Sequence, residues 1–263
     1  MDVLTALLAV LSGSAVGFVL GLIGGGGSVL ATPLLLYVVG LPPHVAIGTG
    51  ALAVSVNAFA NFAGYARAGR VRWRVALLFA AIGVVGAAIG SSLGKVFDGQ
   101  RLLFLFAILM VVVGALMLRR NGRQTAAEQQ GAPPGRENFG LVAVSGLSVG
   151  MLSGFFGIGG GFLIVPGLLF STGMPMIAAI ASSLLSVGTF GLTTAVNYAL
   201  SGLVAWGIAA EYIAGGLIGG FLGMRLASHL AERKAMLTRI FAGVVFAVAA
   251  YMLWRNAGAV GLR

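Results

Sequence analysis

Four consecutive glycines, Gly24-Gly25-Gly26-Gly27, interrupt an apolar stretch that runs from Val3 to Val39. Each costs a helix interior roughly 1 kcal/mol against Ala, so helix stability does not account for them. A second break, Gly157-Ile158-Gly159-Gly160-Gly161, interrupts another apolar stretch. Ser28 and Gly161 are each followed five residues later by a proline, Pro33 and Pro166. No long helix passes undisturbed through such segments. Whatever the chain folds into must either break or turn at both places.

The surroundings of the breaks are lipid. Charged residues make up 8% of the chain and hydrophobic ones 59%, where a soluble domain carries about a quarter charged residues. Such a chain cannot cover its surface with polar groups. The net charge of +10 therefore reads as cytoplasmic loop charge, not as a nucleic-acid footprint. Cys is absent and only His44 and His229 represent histidine. That excludes disulfides and thiolate chemistry and argues against a metal centre; no cofactor motif is present either. The N-terminal run lacks a basic leader and continues past signal-peptide length without a cleavage site, so it is expected to be retained in the membrane.

The two breaks belong to a duplication at a constant offset of 133 residues. Gly13, Gly17, Gly21, Gly24, Gly26 and Gly27 match Gly146, Gly150, Gly154, Gly157, Gly159 and Gly160. Pro33 matches Pro166. Tyr65, Gly69, Val71 and Trp73 match Tyr198, Gly202, Val204 and Trp206. Compositional bias supplies stray glycine matches, but not proline, tyrosine and tryptophan in step without a gap. Residues 1–120 read as the first transmembrane repeat, 121–138 as a polar cytoplasmic linker, and 139–263 as the second repeat. Duplicated halves are typical of secondary transporters.

The expected fold is an all-α polytopic membrane protein with about eight membrane segments. Each half opens with a Gly-broken helix or a re-entrant hairpin. Residues 3–39, if wholly helical, would extend about 55 Å against about 30 Å of hydrocarbon. A bent crossing makes the halves parallel; a hairpin makes them inverted. Positive charge separates the two. The crossing model leaves Lys95, Arg101, Arg225, Arg233, Lys234 and Arg239 on the minority side. The hairpin model leaves only Lys95, Arg101, Arg255 and Arg263 there, which favours the inverted repeat.

A helix broken inside a membrane exposes backbone N–H groups at the start of the next half-helix, and such termini attract anions. Gly24, Gly25, Gly26, Gly27 and Ser28, with Gly157, Gly159, Gly160 and Gly161, are the candidate binding residues for a small anionic solute. Close helix packing explains spaced glycines such as Gly86/Gly90/Gly94 but explains a contiguous run poorly. Ser182, Ser186, Thr189 and Thr193 fall on one helical face, and Asn57 and Asn61 form a shorter stripe. These are candidate solute contacts, with interhelical or back-bonded hydrogen bonding as the alternative. Glu211 is the one acid expected inside a span, a candidate proton carrier or a partner for a loop arginine. His44, beside Pro42-Pro43, is expected in a surface turn.

The G-x-G-G-G-x-x-x-x-P core at Gly157–Pro166, its partner at Gly24–Pro33 and the paired Tyr-x-x-x-Gly-x-Val-x-Trp runs resemble the sulfite exporter TauE/SafE family. The resemblance covers both halves. It implies a multi-pass transporter of the bacterial or archaeal inner membrane. It also implies outward movement of sulfite, sulfoacetate or related sulfur-containing anions. The first half departs from the core with Gly25 in place of Ile158 and Ser28 in place of Gly161. The expected function is secondary transport, with probable partners limited to the solute and the bilayer. A passive channel is the alternative. No Walker motif and no intramembrane catalytic dyad appears, and nothing in the sequence sets an oligomeric state.

Overall fold

The structure is a computed structural model that describes residues 3–23, 25–128, 139–174, 176–229 and 234–256. Ten α-helices follow one another among these residues: α1 (Val3–Ile23), α2 (Ala31–Tyr37), α3 (Pro43–Arg67), α4 (Trp73–Val96), α5 (Gly99–Glu128), α6 (Phe139–Phe156), α7 (Gly161–Thr172), α8 (Met176–Ala199), α9 (Trp206–His229) and α10 (Lys234–Asn256). A 3-10 segment, Gly25–Leu30, joins α1 to α2. No strand occurs among the described residues. Helices α1, α3, α4, α6, α8 and α9 are long and apolar enough to cross a membrane, while the apolar helices at 27–37 and 99–112 are shorter. Helix α5 continues through 121–128, the start of the stretch expected as linker. Residues 129–138 of that stretch, and Gly24 of the first break, lie outside the described residues.

The paired Tyr-x-x-x-Gly-x-Val-x-Trp runs end one helix and start the next. The Gly69 and Arg70 N–H groups donate to Ala66 O and Tyr65 O, and those of Gly202 and Leu203 donate to Ala199 O and Tyr198 O. This is the Schellman geometry, which needs a left-handed residue after the helix. Gly69 (φ +67°) and Gly202 (φ +71°) supply it. Val71 and Val204 then turn inward, and Trp73 and Trp206 open α4 and α9 on the outside, 51% and 65% exposed. Exposed tryptophan at a helix end suits the membrane interface.

The helices pair across the halves. Helix α1 packs on α9, α6 on α4, α3 on α8 and α5 on α10. The first two seams are made by glycine. A Cβ on Gly13, Gly17 or Gly21 would overlap the backbone at Tyr212, Gly216 or Gly220. One on Gly86, Gly90 or Gly94 would overlap Leu147, Met151 or Phe155. Residue numbers rise together along both seams, so α1 runs parallel to α9 and α4 to α6. Along α3 and α8 they run oppositely: Gly48 meets Tyr198, while Phe59 meets Gly188. Helices α3 and α8 occupy the centre, with 67% and 61% of their apolar windows buried against 33% for α1 and α6.

Two hydrogen bonds tie the halves at matching places. Thr49 Oγ1 accepts from Ala205 N–H at 3.0 Å, and Ser182 Oγ accepts from Arg72 N–H at 3.1 Å. Each hydroxyl satisfies a donor at the start of α9 or α4, which would otherwise be unpaired. At the junction of the halves, Ser55 Oγ donates to Gly188 O at 2.7 Å.

Candidate functional site

The chain doubles back at both breaks. A Cβ on Gly27 would reach Leu20 and the Val16 carbonyl, so the 3-10 segment folds onto α1. Gly160 lies against Ser153, and Gly167 against Val149, so α7 returns along α6. The sequence left a kink or a hairpin open; the local path is a hairpin at each break. The 3-10 segment of the first half packs directly on α7 of the second.

The second break is fully described. Gly157, Gly159 and Gly160 hold φ of +67°, +63° and +66°, a region costly to any residue with a Cβ. This is the physical reason for the glycines of the second break, which packing alone does not supply. Gly160 is the N-cap of α7 and no side chain caps it, so the first N–H groups of α7 depend on other partners. A Cβ built on Gly159 would stand 3.0 Å from Val54 Cγ1 and 3.4 Å from Val187 Cγ1. Val54 and Val187 lie near the midpoints of α3 and α8, so the break sits at the centre of the bundle.

Unpartnered hydroxyls surround it. Ser153 is wholly buried, faces Gly160, and its Oγ has no hydrogen-bond partner among the described residues. Ser186 Oγ, on the residue before Val187, is in the same condition. On the first-half side Ser28 is buried, and Thr32 Oγ1 is buried without a partner among the described residues. Buried hydroxyls are nearly always hydrogen-bonded, so Ser153, Ser186 and Thr32 are candidates for completion by a solute or water.

The polar stripes separate into different roles. Ser182 is occupied by Arg72 N–H. Thr189 and Thr193 donate back to Ser186 O and Thr189 O within α8, the back-bonding alternative. Asn61 Nδ2 donates to Asn57 O, while both amide atoms of Asn57 lack a partner among the described residues. Asn57 and Asn61 lie against Gly216 and Gly220 of α9. Glu211 is on α9 between the levels of Thr49 and Asn57. It is half-buried, and Oε2 is enclosed without a hydrogen-bond partner among the described residues. His44 corrects the surface-turn expectation: it opens α3 half-buried, with Nδ1 enclosed and its ring 6.3 Å from that of Tyr198.

Sequence reasoning passed over Ser153, Thr32 and Tyr212. Each has a signal in the duplication: the matching residues are Leu20, Val165 and Phe79. A polar side chain whose repeat partner is apolar stands apart from the shared scaffold. Among the described residues no cluster of His, Cys, Asp or Glu is able to hold a metal ion.

Membrane-length helices in two matching halves, with the 3-10 segment of the first packed on α7 of the second, define a multi-pass helical membrane protein. The family model described as Sulfite exporter TauE/SafE matches residues 9–252, and the chain belongs to that family of membrane transporters. It is a multi-pass protein of the inner membrane. A "Probable membrane transporter protein" of Xylella fastidiosa strain Temecula1 is 54% identical over 97% of this chain and 98% of its own length. "Probable membrane transporter protein YunE" of Bacillus subtilis is 28% identical over 82% of this chain and 86% of its own. One from Methanocaldococcus jannaschii, MJ0441, is 27% identical over 73% and 70%. No solved structure matches the chain.

Proposed function

We propose that the protein is a secondary exporter of a small sulfur-containing oxyanion, such as sulfite or an organosulfonate. The anion is held between the two glycine breaks and released by alternating access. The observation that carries this reading is the uncapped start of α7. Left-handed glycines and the unpartnered Ser153 hydroxyl face one small region at the bundle centre. Backbone N–H groups of Gly159, Gly160 and Gly161 supply donors with the positive end of the helix dipole. Gly25–Gly27 and Ser28 do the same from the other half, with Ser186 alongside. Ser182 holds α8 to the start of α4, and Asn61, Thr189 and Thr193 bond back within the helices that frame the site. Valines 54 and 187 close on Gly159 as an occluded state requires.

The inverted repeat belongs to the same proposal. Helices α3 and α8 are repeat equivalents, and their antiparallel packing supports halves of opposite orientation in the membrane. Domains then run 1–120 and 139–263 about a cytoplasmic linker. Expelling one negative charge at inside-negative potential gains about 2.3 kcal/mol per 100 mV, so export proceeds without ATP. Glu211 is the group that would carry a coupled proton.

The test is efflux from proteoliposomes loaded with sulfite, sulfoacetate, sulfate or chloride, using wild type, Gly26→Leu and Gly159→Leu. Loss of sulfur-oxyanion efflux in both variants is the expected result. Normal transport by both would remove the breaks from the mechanism. In Glu211→Gln, efflux should lose its response to an imposed pH gradient while keeping its response to membrane potential.

A further inference from the structure

The two-fold arrangement of the bundle is chemically one-sided at one place. At one contact between the halves, Phe190 of α8 stacks on Phe79 of α4 with ring centroids 6.2 Å apart, and Phe190 covers Gly83. The repeat equivalents are Asn57 of α3, Tyr212 of α9 and Gly216 of α9. Asn57 covers Gly216 in the same way: a Cβ there would overlap the amide. Tyr212 is one helical turn before Gly216, on the same face of α9. An apolar stack at one contact between the halves is thus replaced, at the contact related to it by the repeat, by an amide and a phenol.

Neither replacement is satisfied. Asn57 is 1% exposed and Tyr212 is 0% exposed. Asn57 Nδ2, Asn57 Oδ1 and Tyr212 Oη all lack hydrogen-bond partners among the described residues. Each buried polar group left unmade costs about 1–3 kcal/mol, a cost that Phe79 and Phe190 avoid. The cluster is also close to the site already described. Asn57 is three residues beyond Val54, which touches Gly159, and Gly216 packs on Gly17 of α1 beside the residues that meet Gly27.

We propose that Asn57 and Tyr212 form a subsite for a neutral hydroxyl group carried by the transported solute. The proposal rests on the oxyanion reading and adds a second recognition element to it. The chemistry follows from the atoms. The amide offers one kind of donor and one acceptor side by side, and the phenol offers either. A hydroxyl both donates and accepts, so it satisfies the set. A second anionic oxygen would face Asn57 Oδ1 lone pair to lone pair, and an alkyl group would leave all three atoms unmade. The glycine breaks bind the charged end; the Asn57–Tyr212 pair reads the other.

The test compares ethanesulfonate with 2-hydroxyethanesulfonate, which differ only in the hydroxyl. Wild type, Tyr212→Phe and Asn57→Leu are assayed by proteoliposome efflux and by ligand-induced thermal shift. Wild type should favour the hydroxylated sulfonate about 2- to 10-fold in KM, the worth of one net hydrogen bond. Tyr212→Phe should erase that preference, leave ethanesulfonate within twofold, and melt at the same or higher temperature. Retained stability separates this outcome from misfolding. Equal handling of both sulfonates by wild type, or a preference that survives in both variants, overturns the subsite and leaves a resident water as the occupant. A wild type that moves sulfite but neither sulfonate overturns the subsite; one that moves neither sulfonate nor sulfite overturns the oxyanion reading itself.

Discussion

Gly160→Ala tests whether the second break is built around a close approach between α6 and α7. The residue holds φ +66°, where an L side chain costs about 1–2 kcal/mol. The new Cβ would also stand 2.6 Å from Ser153 Cβ and 2.7 Å from Ser153 Oγ. Rotating Ser153 moves Oγ but not Cβ, so backbone must shift, at about 1–3 kcal/mol for such overpacking. The expected loss is about 2–5 kcal/mol in all. Gly202→Ala is the internal control. It holds φ +71° with nothing within 4 Å, so it bears only the backbone cost of about 1–2 kcal/mol. Denaturant unfolding of both variants in one detergent gives the difference directly. Sulfite efflux per folded molecule gives the functional half: Gly160→Ala fills the space between the Ser153 hydroxyl and α7, so it should lose transport that Gly202→Ala keeps. Equal destabilisation by the two variants would refute the packing argument. Full efflux from folded Gly160→Ala would refute the use of that space by the solute.

The glycine seams give a second contrast: Gly90→Leu, which overlaps Met151 O, should fail to yield folded protein, whereas Gly243→Leu, with nothing within 4 Å, should be near wild type by size-exclusion chromatography. Thr49→Val and Ser182→Ala each remove the acceptor for one helix-start N–H. Each should cost about 1–3 kcal/mol in unfolding free energy, and, being distant, the two should add. The native chain has no cysteine, so a single cysteine at Gly69 or at Ala231 reports its own side. Membrane-impermeant thiol labelling should place both on the cytoplasmic face, and opposite faces would refute the inverted repeat.

Much of the scaffold was legible because it is repeated. The offset between Gly24–Pro33 and Gly157–Pro166 marks equivalent hairpins, and the Tyr65–Trp73 and Tyr198–Trp206 runs mark equivalent turns whose hydrogen bonds now explain each residue in them. The glycines of α1, α4 and α9 announced close packing, but a stripe of small residues says nothing about its partner. That α1 closes on α9 of the other half, and not on a neighbour in sequence, follows only from the packed bundle. The direction of α3 against α8 does not show in periodicity, which is the same in either sense; in the sequence only the loop charge count bears on it.

The candidate site was less legible than the scaffold for the opposite reason: outside the glycine breaks, its side chains lie where the repeat fails. Leu20, Phe79, Val165 and Phe190 match Ser153, Tyr212, Thr32 and Asn57, and each polar member is buried with an unmade hydrogen bond. Duplicated apolar positions are held in step by packing, which both halves need equally. A buried polar group that only one half carries gains nothing from that packing and costs desolvation free energy. Its retention requires a partner the chain does not supply. Serine in an apolar helix is too common a sight for composition to single out Ser153. The left-handed Gly160 folding α7 back onto it is what sets an ordinary hydroxyl against the start of a helix that no side chain caps.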